Sequence, residues 1–105
     1  MFNHHGHLTL SPEATDAQVE AILDGLLALP GQIDGLREAR VARDAGLADG
    51  NASLRFHMVF DDEASWRAYG SHPAHVAVVT DHIKPVLAGK AMVQHDDRDL
   101  RVATA

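Results

Sequence analysis

Residues 69–75 (Tyr-Gly-Ser-His-Pro-Ala-His) carry the residue types best suited to chemistry in this chain. Pro73 has a fixed φ and no amide hydrogen, so it fits the first position of a helix, with His72 as the N-cap. His75 then falls in the first helical turn, where unpaired amides favour a neutral imidazole. Tyr69 closes the preceding helix, so a neutral histidine beside a phenol forms a candidate acid–base pair. Spacing alone favours the simpler interpretation, in which both residues only cap and pack.

A second group of histidines lies near the N terminus, in the run His4-His5-Gly6-His7. Apolar and polar residues alternate from position 2 to position 10, which predicts a strand whose neighbouring side chains point to opposite faces. At most His5 and His7 share a face, and two ligands are too few for a metal site, so no metal is predicted. His4 shares its face with apolar residues, so we expect it to be partly buried, as a core histidine or as part of a pocket.

Composition narrows the classes of protein that fit. The 105 residues are 46% hydrophobic with a formal net charge of −6, which indicates one acidic domain and argues against a nucleic-acid surface. The absence of cysteine excludes disulfides, iron–sulfur clusters and thiol catalysis, and it fits a cytoplasmic protein. No apolar run approaches the roughly 20 residues that span a bilayer, and the polar start is not that of a signal peptide.

The first half of the chain predicts a strand, a helix and a second strand. Thr15 and Gln18 have the spacing of a capping box, and a stripe of apolar residues follows until Leu29-Pro30-Gly31 ends the helix. Residues 33–43 predict the second strand, with a turn or bulge at Gly35. The helical stripe comprises Val19, Ile22, Leu23, Leu26, Leu27 and Leu29.

The second half predicts a strand, a helix in two pieces and a last strand. Residues 52–60 alternate cleanly, and residues 61–63 (Asp-Asp-Glu) suit the positive end of a helix that runs to Tyr69 with Trp66 as its packing anchor. A second helical piece is expected from Pro73 to Leu87, with Gly89 as its stop, followed by a strand over residues 91–95.

The order strand, helix, strand, strand, split helix, strand predicts an α+β, ferredoxin-like fold, with a four-stranded antiparallel sheet and its helices on one face. The other face of such a sheet stays open, which favours pairing with a second copy of the chain.

Several segments are identified together as similar to one family. They are His4, residues 29–36 (Leu-Pro-Gly-Gln-Ile-Asp-Gly-Leu), the Arg43-Asp44 pair, residues 60–63 and above all residues 69–76. The chain resembles the stress-responsive α/β-barrel (Dabb) family from Phe2 to His95. The resemblance implies a domain over residues 1–96, a polar tail over residues 97–105, and a homodimer in which two sheets face each other as a dimeric α/β barrel. It also implies a cavity between the sheet and the helices of each subunit.

The resemblance further implies a site. In a branch of the family that cyclises linear polyketides, residues matching Tyr69 and His75 form the acid–base pair, and a residue matching His4 lies nearby. Leu23 and Leu26 stand where those cyclases carry aromatics, and Val86 stands where they carry Trp, so the ligand is expected to be different or smaller. The residues expected to contact a ligand are Leu23, Leu26, Phe56, His72 and Val86.

Three hypotheses of function remain open on the sequence. The first is a homodimeric domain that binds a small hydrophobic or carbonyl ligand in the cavity. The second is a cofactor-independent lyase or cyclase in which His75 removes a proton while Tyr69 and His4 stabilise an enolate. The third is a structural oligomerisation module without a cavity. None of them requires a cofactor, a nucleic acid or a membrane.

Overall fold

The computed structural model describes all 105 residues and confirms the α+β, ferredoxin-like fold. One antiparallel sheet has the strand order β2-β3-β1-β4, and three helices pack on one of its faces. No helix combines the length and the apolar character that crossing a membrane requires. The elements in chain order are β1 (Phe2–Leu10), α1 (Asp16–Leu27), β2 (Leu36–Arg43), β3 (Leu54–Phe60), α2 (Glu63–Tyr69), α3 (Pro73–Val78) and β4 (Leu87–Asp96).

The core lies between the sheet and the helices, as the alternation in the strands predicts. On β3, residues Phe56, Met58 and Phe60 are buried, and they lie opposite Gly6, His4 and Phe2 of β1. Ile22 of α1 closes the core from the helical side with no exposed surface. Fully burying such a side chain contributes about 1.5–3 kcal/mol, so this layer is the main source of stability.

The predicted capping box at the start of α1 is present. The Thr15 hydroxyl accepts a hydrogen bond from the amide of Gln18 at 3.2 Å, and the Gln18 side-chain oxygen accepts one from the amide of Thr15 at 2.9 Å. The predicted apolar stripe is wrong at Leu27, which is 49% exposed, while Leu29 beyond the helix is buried. Leu29 turns inward because its amide bonds to the carbonyl of Leu26 after the last helical turn.

β2 and β3 both begin later than the alternation of apolar and polar residues predicts. Ile33 lies in a turn, with the amide of Leu36 bonded to its carbonyl at 3.2 Å, and Gly35 has a φ of 81° that favours glycine. The predicted irregularity at the start of β2 is present as a register shift between Leu36 and Glu38. Ser53 precedes β3, where its hydroxyl accepts a hydrogen bond from the amide of Leu10 at 2.8 Å.

The helical piece predicted from Pro73 to Leu87 extends to Val86, but it is not one regular α-helix and Gly89 is not its stop. After α3 the chain forms a π-helical turn over Val79–Ile83 and a 3-10 turn over Lys84–Val86. Pro85 cannot donate a hydrogen bond, which limits helix at this point. β4 starts at Leu87, opposite Leu10 of β1, and Gly89 lies inside this strand opposite Thr9. β4 is therefore four residues longer at its start than predicted.

The open face of the sheet carries a row of histidines. The rings of His57 and His5 stack with centroids 4.0 Å apart, and those of His5 and His95 stack at 5.3 Å. His57 donates to the side-chain oxygen of Asn3 at 2.8 Å, and the Asn3 amide donates to Asp97 at 2.7 Å. Burial, followed by the neighbouring His57 and His95, lowers the pKa of His5. No three His, Asp or Glu side chains are arranged to hold a metal ion.

The segment predicted as a polar tail begins with an ordered turn. Residues Asp97–Asp99 form a 3-10 turn, and the Asp97 carboxylate lies 3.2 Å from the N-terminal amine of Met1. Residues 100–105 have no regular secondary structure and are exposed.

Candidate active site

Three elements bring together the three residues predicted as catalytic. His4 lies on β1 and faces the helices, Tyr69 is the last residue of α2, and His75 is the third residue of α3. The Tyr69 and His75 rings have centroids 4.1 Å apart, and the His4 and Tyr69 rings lie 6.2 Å apart at 66°. The phenol therefore lies between the two imidazoles.

The junction of α2 and α3 positions Tyr69 and His75. His72 is the N-cap, as predicted, and its Nδ1 accepts a hydrogen bond from the amide of Ala74 at 3.1 Å. The amide of His72 in turn bonds to the carbonyl of Tyr69 at 3.1 Å. His75 Nδ1 donates to the carbonyl of Gly70 at 3.1 Å. In the neutral imidazole this leaves Nε2 without a proton, as a hydrogen-bond acceptor or base.

His4 has the opposite arrangement of its ring nitrogens. The side-chain amide of Gln94, opposite His4 on β4, donates to His4 Nδ1 at 2.9 Å. The proton of the neutral ring is therefore on Nε2, which makes His4 a hydrogen-bond donor. Phe56 and Trp66 pack against the ring, with centroids at 5.1 and 6.0 Å, and fix its orientation.

Tyr69 is buried, yet its hydroxyl remains free. Its ring packs edge-on against Phe60 with centroids 5.1 Å apart. The hydroxyl makes no hydrogen bond within the chain. Every buried side-chain polar atom of the structure does have a hydrogen-bond partner, so the hydroxyl oxygen is not one of the buried atoms. The hydroxyl oxygen must therefore reach open space, and Tyr69 indeed lines a cavity.

Burial holds all three groups neutral around neutral pH. It lowers the pKa of His4 to about 4, with smaller contributions from His75 and His5. It also lowers the pKa of His75, opposed by the hydrogen bond to Gly70 and assisted by His72, and it raises the pKa of Tyr69. The direction for His75 agrees with the sequence prediction, but burial rather than the helix start is the main cause.

These residues line a cavity of about 370 Å³ between the sheet and the helices. Of the residues predicted to contact a ligand, Leu26 and Phe56 line it as well. The other three, which are Leu23, His72 and Val86, do not line it. Leu23 and Val86 are buried in the core, and His72 uses its ring as the N-cap of α3. These three residues therefore have no part in the proposals below.

The sequence reasoning missed part of the cavity wall. The sequence pattern predicts Trp66 only as a packing anchor and gives no role to Met92, Lys84 or Lys90, which also line the cavity. Lys90 belongs to the part of β4 that precedes the predicted strand, whereas Met92 lies within the predicted strand. The sequence does contain one feature that marks Lys84 and Lys90, because they are the only two lysines of the chain.

A second hollow, of about 440 Å³, lies at the loop between β2 and β3. It is more open to solvent and contains none of the predicted catalytic residues. Of its charged residues, Arg43 is already paired with Asp16 at 2.9 Å. We therefore place the candidate site in the cavity between sheet and helices, which is the less open of the two.

The fold and the cavity define a ferredoxin-like α+β domain with a hollow between its sheet and its helices. Residues 2–96 match the model of the family described as "Stress responsive A/B Barrel Domain", and the chain belongs to this family. None of the functionally curated proteins matches the chain.

Solved structures agree with this assignment. A protein from Thermobifida fusca, described as dimeric, ferredoxin-like and of unknown function, is 33% identical, with a TM-score of 0.79, over 90% of this chain and 88% of that one. A Dabb family protein with a ferredoxin-like fold from Mesorhizobium loti is 23% identical, with a TM-score of 0.72, over 90% and 94% of the two chains. A hydroxynitrile lyase from Passiflora edulis shares the fold at 11% identity, with a TM-score of 0.77, over 90% of each chain.

Proposed function

We propose that the protein is a homodimer that binds a small, largely apolar carbonyl compound in the cavity of each subunit. The observation that carries this proposal is the pairing of a free Tyr69 hydroxyl with a His4 ring whose proton is on Nε2. Both are hydrogen-bond donors at the wall of one cavity whose lining is mainly apolar. A carbonyl oxygen is the acceptor that such a pair of donors suits, because it has two lone pairs.

The rest of the lining suits the apolar part of such a compound. Leu26, Phe56 and Trp66 present aliphatic and aromatic surface around the donors. A volume of about 370 Å³ falls in the range of sites for small molecules, which are typically lined by apolar side chains with a few placed polar groups. Burial of apolar surface would supply most of the affinity, and the two donors would orient the carbonyl.

Trp66 provides a direct test, because it is the only tryptophan of the chain and it lines the cavity. Titration with benzylacetone, a methyl ketone with a phenylethyl group, is expected to change the Trp66 fluorescence saturably. Tyr69→Phe should weaken binding about three- to tenfold, the effect of one hydrogen bond. Ser71→Ala, which removes an exposed hydroxyl outside the cavity lining, is the matched control and should bind as the wild type does. The absence of a saturable signal, or equal affinity of Tyr69→Phe and wild type, would contradict the proposal.

One observation favours a second candidate function, an enzyme that moves a proton. His75 Nδ1 is fixed by its hydrogen bond to Gly70, so Nε2 is the basic atom, and the ring contacts Tyr69 in the cavity wall. In this candidate, Nε2 takes a proton from the carbon next to the carbonyl. The electron pair of that C–H bond moves to the carbonyl oxygen as an enolate, which the Tyr69 hydroxyl and His4 Nε2–H stabilise.

Hydrogen exchange separates binding from proton transfer. Benzylacetone is incubated with the protein in deuterated buffer, and loss of the proton signals beside the carbonyl is followed by NMR. The enzyme hypothesis predicts exchange faster than in buffer, and its loss in His75→Asn. His82→Asn, a change at an exposed histidine outside the cavity lining, should retain the exchange. Binding without catalysed exchange would leave the ligand-binding function and refute the enzyme.

The homodimer is supported by the open face of the sheet and by relatives that are described as dimeric. Val93 of β4 lies on this face opposite His5 and is 60% exposed. Light scattering after size exclusion should give the mass of two chains, and Val93→Asp should give the mass of one. Val76→Asp, at an exposed valine on the helical side, is the control and should remain dimeric. A monomeric wild type would contradict this part of the proposal.

The hypothesis of a pure oligomerisation module predicted that no cavity exists. The structure has one of about 370 Å³, so that hypothesis loses its main expectation.

A further inference from the structure

Both lysines of the chain lie at the same place. Lys84, in the 3-10 turn before β4, and Lys90, inside β4, both line the cavity that contains His4, Tyr69 and His75. They are the only lysines among 105 residues. Two side chains of the same charge therefore line one mainly apolar hollow.

Neither lysine has an acidic partner, although the chain has an excess of acidic residues with a net charge of −6. Every ion pair of the structure uses an arginine or the N-terminal amine. The arginines that are paired with carboxylates are Arg37, Arg40, Arg43 and Arg67. The two positive charges at the cavity are therefore not paired with a carboxylate of the chain.

We propose that the ligand of this cavity is a carboxylic acid whose anion is held by Lys84 and Lys90 while its carbonyl group reaches Tyr69 and His4. This inference rests on the proposed carbonyl-binding function and narrows its ligand class. An ammonium group has three donors and a full charge, and an anion beside an apolar wall is attracted more strongly than one in open water. A neutral ligand would leave both charges unmatched.

The sheet register sets the distance between the two ends of this ligand. Lys90 lies opposite Leu8 of β1, whereas Gln94, the partner of His4, lies four residues further along β4. Lys90 and Gln94 both lie on the helix-facing side of the sheet, because their partners Leu8 and His4 share that side of β1. At about 3.3 Å per residue, the two levels are roughly 13 Å apart along the strand. This separation of the two backbone levels favours a ligand whose carboxylate and carbonyl are several carbons apart over an α-keto acid.

The test compares three probes by Trp66 fluorescence and calorimetry. They are a keto acid of about ten carbons with the ketone next to the terminal methyl group, the methyl ester of that acid, and the isomer with the ketone beside the carboxylate. We expect the first to bind about tenfold more tightly than either of the others, because only it satisfies both ends of the site. Rising salt should weaken binding of the acid but not of the ester.

Variants assign the difference to the two lysines. The double substitution Lys84→Gln with Lys90→Gln should reduce the affinity for the acid about tenfold, to that of the ester, and leave the ester unchanged. Arg101→Gln removes a positive charge from the exposed C-terminal segment and is the matched control, with no expected effect. Both lysines are exposed, so the variants should fold, and the salt dependence of the wild type tests the same inference without any substitution.

The outcomes separate this inference from the function on which it rests. Equal binding of the acid and the ester, with no effect of salt or of the lysine substitutions, would overturn the carboxylate inference and leave the carbonyl site standing. Binding of the α-keto isomer as tight as that of the first probe would overturn the predicted separation of the two groups. Failure of all three probes to bind would overturn both proposals.

Discussion

Acidification should destabilise the protein through His4. The ring is held in the cavity wall with its pKa lowered by burial to about 4, whereas a histidine in the unfolded chain titrates near 6.5. As the pH falls below about 6.5, the unfolded chain binds a proton that the folded protein does not accept, so unfolding becomes more favourable. The contribution of His4 to stability is therefore complete above about pH 6.5 and is lost progressively as the pH falls towards 4.

The size of the effect follows from the difference between the two pKa values. A fall from 6.5 to about 4 corresponds to roughly 3 kcal/mol, since each tenfold change in proton affinity is about 1.36 kcal/mol. His4 is only partly buried, and solvent screens part of this interaction, so we expect about 1–2 kcal/mol between roughly pH 7.5 and pH 4.5.

The assay is urea unfolding followed by circular dichroism at several pH values and at one protein concentration, since dimerisation would otherwise shift the midpoint. His4→Gln cannot titrate, so its stability should fall with pH by about 1–2 kcal/mol less than that of the wild type. His7→Gln, the same substitution at an exposed histidine of this strand, is the matched control. A His4→Gln variant with an unchanged slope, or an NMR titration of His4 near 6.5, would refute the reasoning.

Three further changes test the packing and the turns by urea unfolding. Met58→Ala should cost about 2–5 kcal/mol, because this core residue has no exposed surface; a loss below about 1 kcal/mol would contradict the packing. Thr15→Ala should cost about 0.5–2 kcal/mol through the lost capping box, and Thr15→Ser should restore most of it. Gly35→Ala should lower the stability more than Gly46→Ala does. Both positions have positive φ, but a Cβ at Gly35 would lie 2.3 Å from the Ser65 hydroxyl, whereas Gly46 faces open space. Equal losses of stability would contradict the clash.

The parts of the fold with local signals were predictable from the sequence. The alternation in β1, the capping box at Thr15 and the His72-Pro73 helix start each depend on residues within one short segment, and all three are present. The pairing of Tyr69 with His75 is predicted by their spacing across the His72-Pro73 helix start, whereas the approach of His4 follows only from the family resemblance, because its separation in sequence gives no distance to them. The structure brings the three rings together, while their roles in function stay predictions.

The parts that depend on tertiary pairing were not predictable. Gly89 is a reasonable helix stop in isolation, but strand pairing with Thr9 overrides that preference and extends β4. This early start of β4 places Lys90 within the strand, where it lines the cavity. Likewise, Leu23 and Leu26 belong to one apolar stripe on α1, and only the packed structure shows that Leu26 lines the cavity and Leu23 does not.

The wall of the cavity is assembled from separate stretches of chain, and this has a consequence for how the protein can diversify. Tyr69 and His75 come from the α2–α3 junction, whereas Lys84 and Lys90 come from the turn before β4 and from β4 itself. Substitutions at positions 84 and 90 would alter which molecules are admitted while leaving the junction unchanged. Substitutions between 69 and 75 would instead alter the proposed contacts with the carbonyl group of a ligand. Selection, in nature or in a laboratory library, can therefore act on the two ends of the cavity separately.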